Sequence, residues 1–355
     1  MSSTPSLRQP VQLLTPSKLQ ELLRQDKDNK VLPFDASWFM PNLDPPRDPW
    51  AEFRKLRIEG AGFWHLDQIS SDSDVGVPHN IPSRAHFEDA CSRLGIERDS
   101  HVVFYDSQGV FSSPRAAFTF KHFSHPQVSI LDGGLPRWLA ENLPVTRGES
   151  PKNPNPHSLA PGEKARYQPI FSELLYAVKP RVESYFIADI EELFSDYKVP
   201  DGAELDNVRQ WQDVVENTER AEKGDEGAAV VLDARPEGRF HGSAPEPRPS
   251  LSSGHIPHSL SLPSSEVLSA PSSTEPSYKT LKSQEELERL FKEKLGGEWE
   301  GVKKGEKGVV NTCGSGMTAA ILWLALQRAG VDNAAIYDES WTGYASRPES
   351  KIVKS

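Results

Sequence analysis

The sequence predicts an α/β protein built as two tandem domains, each a mainly parallel sheet flanked by helices. Its 355 residues suffice for two domains of about 100–200 residues each. Short β-branched apolar runs alternate with helix-forming stretches, as parallel βαβ units require. That alternation occurs twice. NKVLPFDASW matches AAVVLDARPE, and HVVFYDSQGVFSSPRAAFTFKHF matches GVVNTCGSGMTAAILWLALQ. Internal self-similarity of this kind marks a repeated structural unit.

In each copy the first matched run reads as a buried strand ending in Asp-Ala, at Asp35 and Asp233. A turn and a short extended run follow, RIEGAGFWHLD in one copy and GHIPHSLSLP in the other. Then come a strand, a small-residue loop and a helix, and finally VSILDGGLPRW and AAIYDESWTGY. The first domain is placed at residues 1–148 and the second at 181–355. Residues 149–180 between them are polar and proline-rich, the composition of a linker. From about 196 to 227 the chain is acidic, and a surface insertion with some helix is expected there. SQEELERLFKEKL reads as a charged amphipathic helix laid on the sheet.

Composition removes several function classes. A formal net charge of -11 argues against nucleic-acid and anionic-membrane partners, which call for clustered Lys and Arg. No apolar run approaches the roughly 18 residues of a membrane span. The N-terminal MSSTPSLRQP has no apolar signal core, and its Ser-rich, acid-free character is compatible with a short mitochondrial presequence. Two cysteines make neither a disulfide framework nor a C-x-x-C metal site, so a reducing compartment is the simpler setting. Cys91 shares a helical face with Phe87, Ala90 and Leu94 and reads as a core thiol. No metal or nucleotide motif is present, because GSGMTA lacks the spacing and the Lys of a phosphate loop.

Cys313 is different. It closes an apolar strand, Gly314 and Gly316 bracket Ser315 behind it, and a helix begins after Thr318. Ligands bind outside the carboxyl ends of strands in open α/β sheets. A helix N-terminus presents unpaired N–H groups that favour an anion, here a thiolate. In the first copy Asp106 takes the place of Cys313, so one copy carries a nucleophile and the other does not.

With CGSGMTAA, LDARPEGRFHG, PEPR and SGHIPHSLSLP in the second half, and FDASWFMP, SSPRAAF and LDGGLPRWL in the first, the chain resembles the two-domain sulfurtransferases of the rhodanese superfamily. The resemblance implies two tandem rhodanese-like domains, with the first inert. It implies that Cys313 takes sulfur from a donor as a persulfide and passes it to a thiol or other acceptor, without a cofactor. Arg239 and Arg248 match the family's substrate-binding arginines, and Gly314, Gly316, Met317 and Thr318 complete the substrate loop. Ser315 matches a serine that works with a His and an Asp, which carry over to His79 and Asp67. Met317 departs from the Val that is commoner in the family, a change expected to alter pocket shape. The implied partners are a small-molecule donor and a thiol acceptor such as thioredoxin or a sulfur-relay protein. The implied location is cytoplasmic and/or mitochondrial.

Three rival readings fit the residues less well. A Cys-dependent phosphatase needs Arg six places after the cysteine, where Ala319 stands. Thiosulfate, a compact dianion, suits enzymes with basic residues just after the cysteine, whereas Gly314 and Ser315 are neutral. 3-Mercaptopyruvate, a monocarboxylate with a neutral thiol, fits this loop and two arginines better. An interaction module without activity would have no need of Cys313 and its glycines.

Overall fold

A computed structural model describes residues 10–148 and 196–355. The linker expected at 149–180, the start of the second domain at 181 and the first nine residues of the presequence-like segment lie outside the described residues. In the first half, β1 (Gln12–Leu14), β2 (Val31–Asp35), β4 (Gly62–Phe63), β5 (His101–Tyr105) and β6 (Gln127–Leu131) form one sheet, while β3 (Leu56–Ile58) and β7 (Val145–Arg147) form an antiparallel ribbon. In the second half, β8 (Val208–Arg209), β9 (Val230–Asp233), β10 (Leu260–Ser261), β11 (Val309–Thr312) and β12 (Ala334–Tyr337) form another. The spatial orders are β1-β6-β5-β2-β4 and β8-β12-β11-β9-β10, and every pair within these two sheets is parallel.

The repeat extends to individual hydrogen bonds. Beyond β2 the Ala36 N–H donates to Tyr105 O at 2.8 Å, and beyond β9 the Ala234 N–H donates to Thr312 O at 2.8 Å. In both halves the residue after the central strand, Asp106 or Cys313, is therefore delivered to the same carboxyl edge of its sheet. Parallel sheets need helices on both faces, and the helices Ser113–His122 and Ala319–Arg328 occupy equivalent crossovers.

Those two helices meet between the domains. Residues Ala319 to Leu326 are all buried, as expected of a helix apolar on every side. Phe118 and Trp323 pack edge to face with ring centroids 5.1 Å apart, a pairing worth about 0.5–1.5 kcal/mol beyond its buried area. The contact ties the helix behind each loop to the other domain, which is what makes a shared site possible.

One expectation changes. The acidic stretch 196–227 is not a surface insertion. It supplies β8, which pairs with β12, and the helix Trp211–Glu222, the counterparts of β1 and the helix Pro16–Gln25. Ahead of β8, Tyr197, Val199 and Ala203 are buried in the core shared with the first domain, where the Arg98 guanidinium donates to the Tyr197 hydroxyl at 3.0 Å. The helix Gln284–Leu295 is amphipathic and starts with a Ser283–Glu286 capping box, and it buries Leu287, Phe291 and Leu295 in the core that also holds the helix Ala319–Arg328. Among the described residues, no helix is long and apolar enough to cross a membrane.

Candidate active site

Cys313 is seated by its neighbours on both sides. Its N–H donates to Ser340 Oγ at 3.1 Å, and its carbonyl accepts the Trp341 N–H at 2.9 Å. The segment after β12 thus forms one wall of the cysteine loop. Gly316 turns the loop with φ +86°, and its N–H donates to the Cys313 Sγ at 3.2 Å. A Cβ at Gly316 would lie 2.8 Å from the Asp338 carbonyl oxygen, so only glycine fits both that conformation and that contact. The thiol is 2% exposed.

Ser315 is the point where the two domains join chemically. His79 Nε2 lies 3.0 Å from Ser315 Oγ, and His79 Nδ1 lies 2.9 Å from Asp67 Oδ1. The Trp38 indole N–H donates to both Asp67 oxygens, at 3.0 and 2.9 Å, and the Trp38 and His79 rings pack edge to face. Burial pulls the His79 pKa below the ordinary histidine value, against the opposing pull of Asp67, so at neutral pH the ring is uncharged and Nδ1–H faces the carboxylate. Burial alone would raise the Asp67 carboxyl, but His79 and the Trp38 N–H hold it below the usual aspartate range. One side of Asp67 remains open to solvent, a connection to bulk protons.

The two arginines converge on Gly314. Arg248 Nη1 donates to Thr342 Oγ1 at 2.9 Å, and Thr342 Oγ1 donates to the Gly314 carbonyl at 2.6 Å. An Arg239 Nη2 nitrogen lies 3.3 Å from where a Gly314 Cβ would be. Arg239 is held by Glu246, with its Nε donating at 3.1 Å and its Nη2 also bonded to the same oxygen. Glu246 in turn accepts from Arg235 at 2.8 Å, and Arg235 pairs with Asp233 at the end of β9. Burial and the like charge of Arg239 pull the Arg248 pKa down, while Glu246 and Cys313 oppose them. The edge of the loop is therefore cationic, with Arg239 fixed by the buried Asp233–Arg235–Glu246 chain and Arg248 by Thr342.

The sequence-predicted site residues gather around the Cys313 loop, but Met317 turns inward. Met317, expected to shape an open pocket, is 3% exposed and belongs to the main hydrophobic core. Any effect it has on the pocket passes through packing. Thr318 caps the helix Ala319–Arg328 without a side-chain cap bond. Glu246, Ser340, Thr342, Trp38, Arg115 and Asp338 do not stand out in the sequence. Of these only Glu246 leaves a signal, a carboxylate two places before Arg248 in PEPR. Cys91 is buried, and burial pushes its thiol well above the ordinary cysteine value. The described residues include no His/Cys/Asp/Glu group able to hold a metal ion.

A buried thiol at the edge of a parallel sheet, in a loop whose Ser315 is met by a His–Asp pair from a sister domain, defines a tandem α/β protein with a nucleophile loop. The chain belongs to the rhodanese-like domain family, whose model matches residues 15–141 and 216–347. It is similar to the 3-mercaptopyruvate sulfurtransferase of Rattus norvegicus, with 32% identity over 97% of this chain and 95% of that protein. It is also similar to the mitochondrial thiosulfate/3-mercaptopyruvate sulfurtransferase 1 of Arabidopsis thaliana, at 34% over 92% of this chain and 74% of that protein. Among solved structures it resembles the yeast mitochondrial complex I sub-stoichiometric sulfur transferase subunit. The TM-score is 0.69 at 31% identity, covering 97% of this chain and 99% of that one.

Proposed function

We propose that the protein transfers sulfur from 3-mercaptopyruvate to a thiol acceptor through a persulfide on Cys313. One observation carries the reading. The chain Asp67–His79–Ser315 crosses from the first domain to the loop that presents Cys313. The arginines Arg239 and Arg248 take the donor's carboxylate and carbonyl. The Cys313 thiolate attacks the donor sulfur, an S–S bond forms, and the donor's C–S bond breaks with its electron pair leaving as the enolate of pyruvate. The donor's thiol hydrogen stays on the outer sulfur as the persulfide. Ser315 passes a proton to the enolate; the proton comes from His79 Nε2, which, with Asp67 steadying the imidazolium, first takes up the one that Cys313 loses on becoming a thiolate. In the second half-reaction an acceptor thiolate attacks the outer sulfur, and Cys313 leaves as thiolate. The Gly316 N–H that donates to the Cys313 sulfur favours the anion in both halves.

Donor preference follows from charge. Gly314 and Ser315 bring no cation to the sulfur end, which suits a neutral thiol better than a thiosulfate dianion. A thioredoxin or sulfur-relay acceptor is consistent with a loop at the edge of the domain interface. The relatives named as mitochondrial support a mitochondrial location, shared or not with the cytoplasm.

Incubation with 3-mercaptopyruvate alone tests the reading. One sulfur should appear on Cys313 by intact-mass and peptide analysis, with one pyruvate released. No adduct, or an adduct on Cys91 alone, overturns it. Thiosulfate in the same assay should react less well, and Ser315→Lys should shift the kcat/KM ratio toward thiosulfate.

A further inference from the structure

The relay reaches the cysteine loop from a different domain, so something must fix the distance between them. Arg115, on the helix Ser113–His122 of the first domain, is 1% exposed. Its Nη2 donates to the His79 carbonyl at 2.8 Å and also bonds the Asp338 carboxylate of the second domain. Asp338 is the residue after β12, and its other oxygen accepts the Ile81 N–H at 2.9 Å. His79 itself has φ +48°, a left-handed conformation that a non-glycine residue keeps only where its surroundings impose it.

Both ends of this clamp touch the catalytic constellation. The Arg115 Nη1 lies 3.2 Å from where a Gly316 Cβ would be, and the Asp338 carbonyl lies 2.8 Å from the same point. The ion pair thus sits directly behind the loop whose N–H meets the cysteine sulfur. Arg115 Nε and Nη1 are buried with no hydrogen-bond partner. A buried ion pair with unspent donors is poor evidence of a stabilising role, because well-packed apolar side chains often do as well or better. Its position explains its presence better than its energy does.

We infer that Arg115 and Asp338 are positioning residues for sulfur transfer, setting the register between the His79–Asp67 relay and the Cys313 loop across the domain interface. This rests on the relay reading above. Arg115 acts by fixing the His79 backbone rather than by touching the donor, so its loss should lower kcat and leave donor binding by Arg239 and Arg248 intact.

The test compares four variants with 3-mercaptopyruvate as donor. Arg115→Lys keeps a cation, but its Nζ ends one bond short of the place where Arg115 Nη2 serves both Asp338 and the His79 carbonyl. It should lower kcat about 10- to 100-fold, the scale of an ångström-sized misplacement, with KM changed less than about twofold. Arg115→Met leaves Asp338 buried and unpaired, so its Tm should fall as well. In Arg115→Met/Asp338→Asn no charge is left uncompensated and Asn still accepts the Ile81 N–H. Its Tm should recover from that of Arg115→Met while kcat stays low. If kcat recovers together with Tm, the clamp is only structural and the inference is overturned. It is equally overturned if Arg115→Lys keeps wild-type kcat while His79→Gln loses activity. If His79→Gln itself turns over normally, the relay reading has failed instead. Iodoacetamide labelling of Cys313 should be unchanged in Arg115→Lys, which separates loss of register from loss of the loop.

Discussion

The two strand–loop–helix units, one after β5 and one after β11, start from the same backbone plan and do opposite things with it. In the first, the Asp106 carboxylate is fully buried and accepts the N–H groups of Gln108, Phe111, Ser112 and Ser113, at 2.9–3.1 Å, and the Ser113 hydroxyl at 2.7 Å. The loop's own side chain fills the anion cradle. In the second, the Cys313 sulfur accepts one loop N–H, from Gly316, and is a weaker acceptor than a carboxylate. One cradle is closed by a carboxylate from inside the chain, and the other gives its cysteine sulfur a single N–H. The same divergence shows one strand over. Asp233 has Arg235 as its partner, whereas Asp35, at the matching place, has Ser37.

Exchanging the two side chains should break this contrast most severely. Cys313→Asp should fill its own cradle and abolish both turnover and the sulfur adduct. Asp106→Cys should gain no adduct at the new thiol, since Ser315, Arg239 and Arg248 lie at the other loop. Intact-mass and peptide analysis after donor treatment reads both. A sulfur adduct at position 106 of the Asp106→Cys variant would mean that the cradle alone makes the chemistry.

A smaller effect concerns the cationic rim of the second unit. Arg239→Lys and Arg248→Lys keep charge but lose the planar fork. A lost charge-assisted hydrogen bond costs about 1.5–3 kcal/mol, or roughly 10- to 150-fold in kcat/KM. Steady-state kinetics with 3-mercaptopyruvate should show that loss, with labelling of Cys313 much less affected. Near-wild-type kcat/KM in both variants would remove these arginines from donor recognition.

The smallest effect is on stability. Burial, without the cation that Asp233 enjoys, pushes the Asp35 pKa up to about 7. Unfolded, the group titrates near 3.9. Between these values the folded state holds the extra proton. Asp35 therefore costs nothing below about pH 4 and lowers stability as pH rises toward 7, where the loss levels off. Asp35→Asn should flatten that part of the stability curve by a few kcal/mol at most, as read by denaturant midpoints at pH 4.5 and 7.5. An unchanged slope would show that Asp35 keeps its charge without cost.

The duplicated fold was legible because strand ends and loop positions repeat in sequence, down to the Asp-Ala pairs. The acidic stretch misled because β8 is two residues long and the helix after it is charged on its outer face. Composition there reports solvent, while the sheet edge is set by pairing with β12. Cys313, its glycines and the arginines stood out because special backbone and cationic residues cluster locally. Arg115 and Asp338 did not, since their meaning lies only in a contact between residues 223 apart in sequence. Met317 points inward because it leads directly into a helix whose residues Ala319 to Leu326 are all buried, which no local pattern reveals.

The contact between His79 and Ser315 spans 236 positions of the chain, and this has a consequence for biosynthesis. A ribosome extends the chain in one direction, at about 5–20 residues per second. Asp67 and His79 therefore emerge well before Ser315 and Cys313. The first half, with its self-filled Asp106 loop, is already complete in sequence at that point. Cys313 is made only after the residues that its loop meets in the first half, and its N–H finds Ser340 Oγ once β12 has followed. The order of the two halves in the gene thus keeps the nucleophile's unguarded interval short.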